Sequence, residues 1–325
     1  MTRLDMTPHL QISRTDINMN EHNANIDALT ETLIFEITEA LALPQRQTVR
    51  KIIGLLAGKA ARRFSELALE LDHVVEQDGL AAGARWLLPR FVRGHSACGV
   101  ENIPPEGPLV IASNHPASID SVVISAHVRR PDYKVIIGEI PFFKNLPNVS
   151  RNAIFAPAEK DISGRMQVVR EIIQHLKKGG AILIFARGGI EADPAFMHEA
   201  DAEFNKWSRS LEIFLKRAPQ TQVLVTMVSG VVAKSAMSHP ITSFREARPD
   251  RQRLAFMYQM IRQILSGSEL FGLTPRVTFG ELISINNTTD HEHMLQTINE
   301  SAHRVLKTHM APTLSRVASD SLRQV

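Results

Sequence analysis

The chain has 325 residues and a single cysteine, Cys98, so it cannot close an internal disulfide, and a reducing compartment is the expected setting. Met1 to Gln11 lacks the apolar stretch of a secretory leader. No uncharged apolar run approaches the roughly 18–20 residues that a membrane-spanning helix needs. The two best, Ala181–Ala186 and Val223–Ala233, have the length of buried strands. These absences predict a cytoplasmic protein with peripheral contact, at most, at the inner membrane face. Strong charge of one sign is also missing, because 37 Lys and Arg face 34 Asp and Glu for a net +3. Without a basic tract interleaved with aromatics, that balance predicts no nucleic-acid partner. It leaves room for weak attraction to an anionic bilayer. There is no Gly-x-Gly-x-x-Gly and no phosphate loop ending in Gly-Lys-Ser/Thr, so nucleotide chemistry has no sequence support. A hydrolase nucleophile elbow, Gly-x-Ser-x-Gly, is absent as well. The nearest stretch, Gly94-His95-Ser96-Ala97-Cys98, ends on Cys98 and lacks a preceding apolar strand.

What is present is ordinary globular material: 44% apolar and 22% charged residues suffice for a sizeable core. After a polar leader of about 20 residues, expected to be frayed, helical periodicity runs over 26–43 and stops at Pro44. Further helices are predicted over 47–75 and 80–91. Residues 1–95 therefore read as a helical domain with a frayed leader. From 96 to 325 short apolar runs (109–112, 135–137, 181–185, 223–228, 277–282) alternate with helical patterns (118–130, 164–178, 199–217, 251–265, 290–310). That alternation predicts an α/β domain with a mostly parallel sheet flanked by helices.

The chemistry-bearing candidate is Ser113-Asn114-His115-Pro116-Ala117-Ser118-Ile119-Asp120. His-x4-Asp alone is weak, since the chain holds four: His22/Asp27, His73/Asp78, His115/Asp120 and His127/Asp132. Only His115 directly succeeds an apolar strand and precedes a helix, the place where open α/β sheets bind ligands. Ser118 is the expected helix N-cap, which puts Asp120 in the first helical turn, where the helix dipole favours its ionised form. Folded back onto the imidazole, Asp120 would fix one ring tautomer and make His115 a general base. The competing account is a histidine that merely caps a buried turn.

Asn114-His115-Pro116-x3-Asp120 resembles the first motif of the glycerol-phosphate and lysophosphatidate acyltransferase family. Ile140-Pro141-Phe142-Phe143 and then Asn152-Ala153-Ile154-Phe155 resemble its second block. Ala181–Gly188 resembles its third, usually Phe-Pro-Glu-Gly-Thr-Arg, and Val225–Gly230 sits where its fourth would lie. The likeness runs from about Gly99 to Pro240. Departures are specific: Arg187 replaces the family's Glu, Gly189 its Thr and Ile190 its Arg, with Glu191 one position beyond. In the second block Arg151 stands for a Gly and Pro157 for an Arg.

The resemblance implies transfer of an acyl group from an acyl thioester, acyl-CoA or acyl-carrier protein, to a lipid or glycerol-like hydroxyl. His115 would be the base and Asp120 its orienting partner, with no further cofactor and no metal. Asn114, Ser118, Arg151 and Arg187 are then candidate substrate-binding residues. The backbone of Arg187-Gly188-Gly189 is a candidate oxyanion site, against the plainer account of a tight turn. Rivals are a lipid- or partner-binding homologue altered in catalysis and a thioesterase-like hydrolase. His291-Glu292-His293 reads as a solvated helix start rather than a metal site. Lys51, Lys59, Arg62 and Arg63 on an amphipathic helix could rest on an anionic bilayer, or form the solvated face of a bundle helix.

Overall fold

The computed structural model describes residues 14–41, 43–157, 160–208, 210–284 and 292–311. The polar leader before Arg14 and His291 lie outside the described residues, as do the side chains of His22, Glu292 and His293. The chain divides into two compact units, Met1–Leu69 and Glu70–Val325.

In the first unit α1 (Arg14–Ala40) pairs with the leading part of α2 (Gln47–Asp78). Arg62 forms an ion pair with Asp27, and Thr30 Oγ1 lies 3.4 Å from Ser65 Oγ. Pro44 separates the two helices, as its missing N–H and fixed φ require.

The second unit begins inside α2 and not near residue 95, where the change of sequence texture placed the boundary. The reason is packing. Asp72, late in α2, accepts from the Asn148 and Val149 amides at 2.9 and 2.8 Å and from the Asn148 side chain at 2.9 Å. Arg85, in α3 (Leu80–Leu87), donates to the Ala126 carbonyl at 2.9 Å.

Seven strands form one sheet in the order β1-β7-β6-β2-β5-β3-β4: β1 Ser96–Cys98, β2 Leu109–Ser113, β3 Tyr133–Gly138, β4 Ala153–Ala156, β5 Ala181–Phe185, β6 Gln222–Ser229 and β7 Arg276–Ser284. All pairings are parallel except β6 with β7. The central strand β2 is buried along its whole length, which is why it reads as an unbroken apolar run. Val110 and Ala112 join β5, β6 and helices α7 (Ile162–Lys177), α8 (Ser210–Arg217) and α11 (Glu292–Met310) in one core layer. Helix α4 (Asp120–Ser125) packs over β6. Between α4 and α7 lie two short helices, α5 (Pro141–Lys144) and α6 (Pro147–Arg151). Two more, α9 (Lys234–Met237) and α10 (Arg248–Ser266), come after β6.

Two helix expectations fail for tertiary reasons. The helix predicted over 118–130 shrinks to 120–125. Its start yields to the Asp120 carboxylate turning back, and its end to Arg130, which precedes Pro131 and donates to the Gly107 and Gly179 carbonyls at 2.8 and 2.9 Å. The helix predicted over 199–217 breaks into a 3-10 segment, His198–Lys206, and α8. At the break the Trp207 indole donates to Glu191, and the Ser208 amide donates to the Ala186 carbonyl at 2.7 Å.

Candidate active site

His115 stands two residues beyond the end of β2, at the carboxyl edge of the parallel strands. Before it, the Asn114 side-chain amide accepts from Val228 N at 2.8 Å and donates to Val228 O at 2.9 Å. Asn114 thus extends the β2–β6 ladder by one rung with its side chain. It is buried and spent on backbone, so the expectation that it binds substrate gives way to a positioning role.

His115 Nδ1 lies 2.8 Å from Asp120 Oδ2, which also accepts from Ala117 N at 3.2 Å. Asp120 is fully buried, while the His115 side chain is 20% exposed. Burial raises the Asp120 pKa, against His115 and the Ala117 amide, which favour the ionised form; in that form the carboxylate only accepts, so Nδ1 carries the proton and Nε2 is left with its lone pair. The imidazole stacks on Phe185, ring centroids 4.0 Å apart and planes 20° apart, which fixes its plane. Burial opposes charging the ring, but the charge and hydrogen bond of Asp120, with Glu191 behind them, raise the His115 pKa above 6.5; Arg253 works against them.

The third block contributes more than its loose sequence likeness suggests. Glu191 Oε2 accepts His115 N at 2.9 Å, the Glu191 amide donates to His115 O at 2.8 Å, and Oε1 accepts the Trp207 indole at 2.9 Å. Burial pushes the Glu191 carboxyl up to about 7, against the two hydrogen bonds that favour its ionised form. Gln252, buried in α10, donates to Pro116 O at 2.6 Å and to Glu191 O at 2.8 Å, clamping both turns. Asp193 joins this loop to the one after β6: its carboxylate accepts from Gly230, Val231 and Val232 amides at 2.8, 3.0 and 3.1 Å. Glu191 was visible one position past the block. Gln252 left no sequence signal, being one polar residue on a helix face.

Several expected substrate contacts are placed otherwise. Arg187 donates to Ile190 O at 2.6 Å and pairs with buried Glu203 at 3.2 Å, and Arg248 meets the other Glu203 oxygen at 2.7 Å. The Arg187 guanidinium therefore holds the loop first. The Gly188 amide donates to Phe185 O at 2.9 Å, so it is not an oxyanion donor; its φ of 75° is the reason for glycine there. A Cβ on Gly189 would meet nothing, so space does not demand that glycine. Ser118 is exposed and does not cap α4. Ile119 occupies the N-cap position without a side-chain bond, and the Ser118 carbonyl accepts from Ser121 Oγ at 2.9 Å. Arg151 ends α6, just before β4 begins, which puts it at the opposite edge of the parallel strands from His115. Two of the other His-x4-Asp pairs are engaged elsewhere, His73 with Glu76 and Asp132 with Arg130, while the His22 side chain lies outside the described residues. Among the described residues no group of three His, Cys, Asp or Glu could hold a metal ion, and no helix is long and apolar enough to cross a membrane.

Residues 97–242 match the family model described as Acyltransferase. No curated protein matches the chain. Among solved structures, the crystal structure of the 1-acyl-sn-glycerophosphate (LPA) acyltransferase, PlsC, from Thermotoga maritima aligns at 16% identity and a TM-score of 0.43, covering 89% of this chain and 99% of that one. The matched segment contains the strand, turn and loop that carry His115, Asp120 and Glu191, and over those residues this chain is similar to the acyltransferase family.

Proposed function

We propose that the protein moves a fatty acyl group from an acyl thioester, acyl-CoA or acyl-carrier protein, to the hydroxyl of a glycerol-phosphate-like or other lipid acceptor. The observation that carries this is the 2.8 Å contact between His115 Nδ1 and buried Asp120, with Nε2 left to a substrate. Nε2 takes the acceptor hydroxyl proton as the oxygen attacks the thioester carbonyl. The tetrahedral intermediate collapses, expelling the thiolate, which takes the proton back from the imidazolium; no acyl-enzyme forms. Asp120 holds the tautomer and stabilises the transient imidazolium. The developing oxyanion needs fixed donors, and with Gly188 spent, the Arg187 and Gly189 amides of that loop are the candidates.

The enzyme works in the cytoplasm, at the inner membrane face. In support, α2 presents Ile52, Leu55 and Leu56 to solvent beside exposed Lys51 and Lys59, the pattern of an interfacial helix.

The test is incubation of purified protein with acyl-CoAs or acyl-carrier protein of several chain lengths and a panel of hydroxyl acceptors. Free thiol and acylated product are monitored together. Acceptor-dependent transfer that disappears in His115→Ala supports the proposal. Thiol release without acylated acceptor makes the protein a thioesterase-like hydrolase. A folded wild type showing neither makes it a binding homologue.

A further inference from the structure

From the exposed, rigidly held side chains on the turn after α9, we propose that residues 240–246 dock the protein on an anionic lipid surface, with Phe244 and Ile241 entering the bilayer. β6 ends at Ser229, and the chain continues from the carboxyl edge of the sheet, the edge at which His115 stands. The segment after Ser229 is firmly held. Asp193 takes the amides of 230–232, while Gln259 takes the Ala233 amide at 2.9 Å and donates to Val231 O at 3.1 Å. His239 stacks on Tyr258 at 4.0 Å. Thr242, buried, donates to the Met237 and His239 carbonyls.

On that base the 3-10 turn Pro240–Phe244 displays Phe244 at 80% exposure and Ile241 at 37%. A scattered exposed apolar residue is ordinary. Here an aromatic is held out on a turn whose polar side chain is satisfied, so it gains no cover from local relaxation.

The surrounding charge selects the occupant. Residues 234–253 carry five basic side chains (Lys234, Arg245, Arg248, Arg251, Arg253) against two acidic ones, Glu246 and Asp250. Arg248 is tied to Glu203 and Arg253 to Asp250, whereas Lys234 and Arg251 are exposed. An apolar knob flanked by excess cations is the chemistry of interfacial insertion into anionic lipid. An acidic protein would answer the charge but offer Phe244 no hydrocarbon. The purpose of the contact rests on the lipid-acceptor proposal above: it places the carboxyl edge of the sheet against the layer that holds the acceptor.

The experiment uses the full chain and vesicles of phosphatidylcholine with or without phosphatidylglycerol. Wild type should co-sediment with the anionic vesicles at low salt, and Phe244→Asp should weaken that binding at least fivefold without lowering the melting temperature. In Phe244→Trp, the emission added over wild type should be quenched by brominated lipid. Equal sedimentation of wild type and Phe244→Asp, or unquenched added emission, overturns the proposal in favour of contact elsewhere, such as α2. Absence of vesicle binding by wild type overturns it outright. Phe244→Asp that loses binding to an acyl-carrier protein, but not to vesicles, replaces lipid by a protein partner. None of these readouts needs turnover. A chain that binds vesicles through Phe244 yet transfers no acyl group keeps this inference and sinks the acyl-transfer proposal.

Discussion

The Glu191 carboxylate accepts the His115 amide at 2.9 Å while the Glu191 amide donates to the His115 carbonyl at 2.8 Å, so one residue grips the His115 backbone from both sides. Its second oxygen is held by Trp207. Glu191→Gln keeps the size but can turn a donor toward the His115 amide, leaving a buried group unsatisfied. The expected cost is about 1–3 kcal/mol of stability, with loss of most of the activity. Thermal unfolding and initial rates measured on the same sample check this.

The Nδ1–Asp120 contact fixes the protonation pattern of the site. The proposed reaction needs neutral Nε2, and the His115 pKa is raised, so kcat/KM should climb with pH through an acid limb lying above 6.5. Asp120→Asn removes the carboxylate that raises the pKa and orients the ring. The acid limb should then move down, and the rate should fall by roughly 10³-fold or more. Arg253→Gln should move the limb up, because the arginine opposes protonation. An unmoved limb in both variants would remove His115 as the titrating base.

Gln252 lies outside the family match, yet it holds the Pro116 and Glu191 carbonyls together. Gln252→Leu should lower kcat about tenfold or more with little change in KM, since a misplaced His115, in its proposed role as base, affects the transition state more than the bound ground state. A change confined to KM would argue for substrate contact instead.

Arg151 and Gly188 give contrasting controls. Arg151→Ala, at the far edge of the strands, should leave kcat and KM for an anionic acceptor unchanged. Gly188→Ala forces a side chain into φ 75° and should cost about 1 kcal/mol. Gly189→Ala should cost nothing measurable, because its Cβ meets open space. Denaturant midpoints and steady-state kinetics report both.

Two buried histidines take stability away on acidification. His309 is buried between Thr278 Oγ1 and Ser229 Oγ at 2.8 and 2.7 Å, and burial lowers its pKa to about 3. His127 is lowered to about 4, again chiefly by burial. The unfolded chain protonates both near 6.5, before the native state does, so stability is lost from about pH 6.5 down to 4 and 3. Glu191 works the other way: its native pKa of about 7 exceeds the ordinary 4.5, so its protonation favours the fold across that interval, and the raised pKa values of His115, Asp120 and Asp193 act in the same direction. In urea midpoints measured against pH, His309→Gln should lose less stability than wild type between about pH 6.5 and 3.

Much of this was legible in the chain. The five apolar runs from 109 to 282 are strands, and β2 reads most clearly because a strand buried on both faces must be apolar. His115 was separable from three other His-x4-Asp pairs, because only it succeeds such a strand. The short strands β1 and β4 passed unseen, since three or four residues carry no periodicity. Arg151 and Arg187 were legible as cations but not as placed ones.

The sequence by itself determined the alternation of strands and helices and the local pairing of His115 with Asp120, five residues apart and joined by a turn. Those features depend on periodicity, on proline and on short-range geometry. Only the tertiary structure decided that Glu191, 76 positions after His115, grips its backbone, and that Gln252, 136 positions after Pro116, clamps the same turn. It also decided that Arg187 turns to Glu203 and that Phe244 is held in water. Contacts between residues so far apart in the chain are set by how strands stack and loops meet at one edge of a sheet, and no local pattern of residues encodes that.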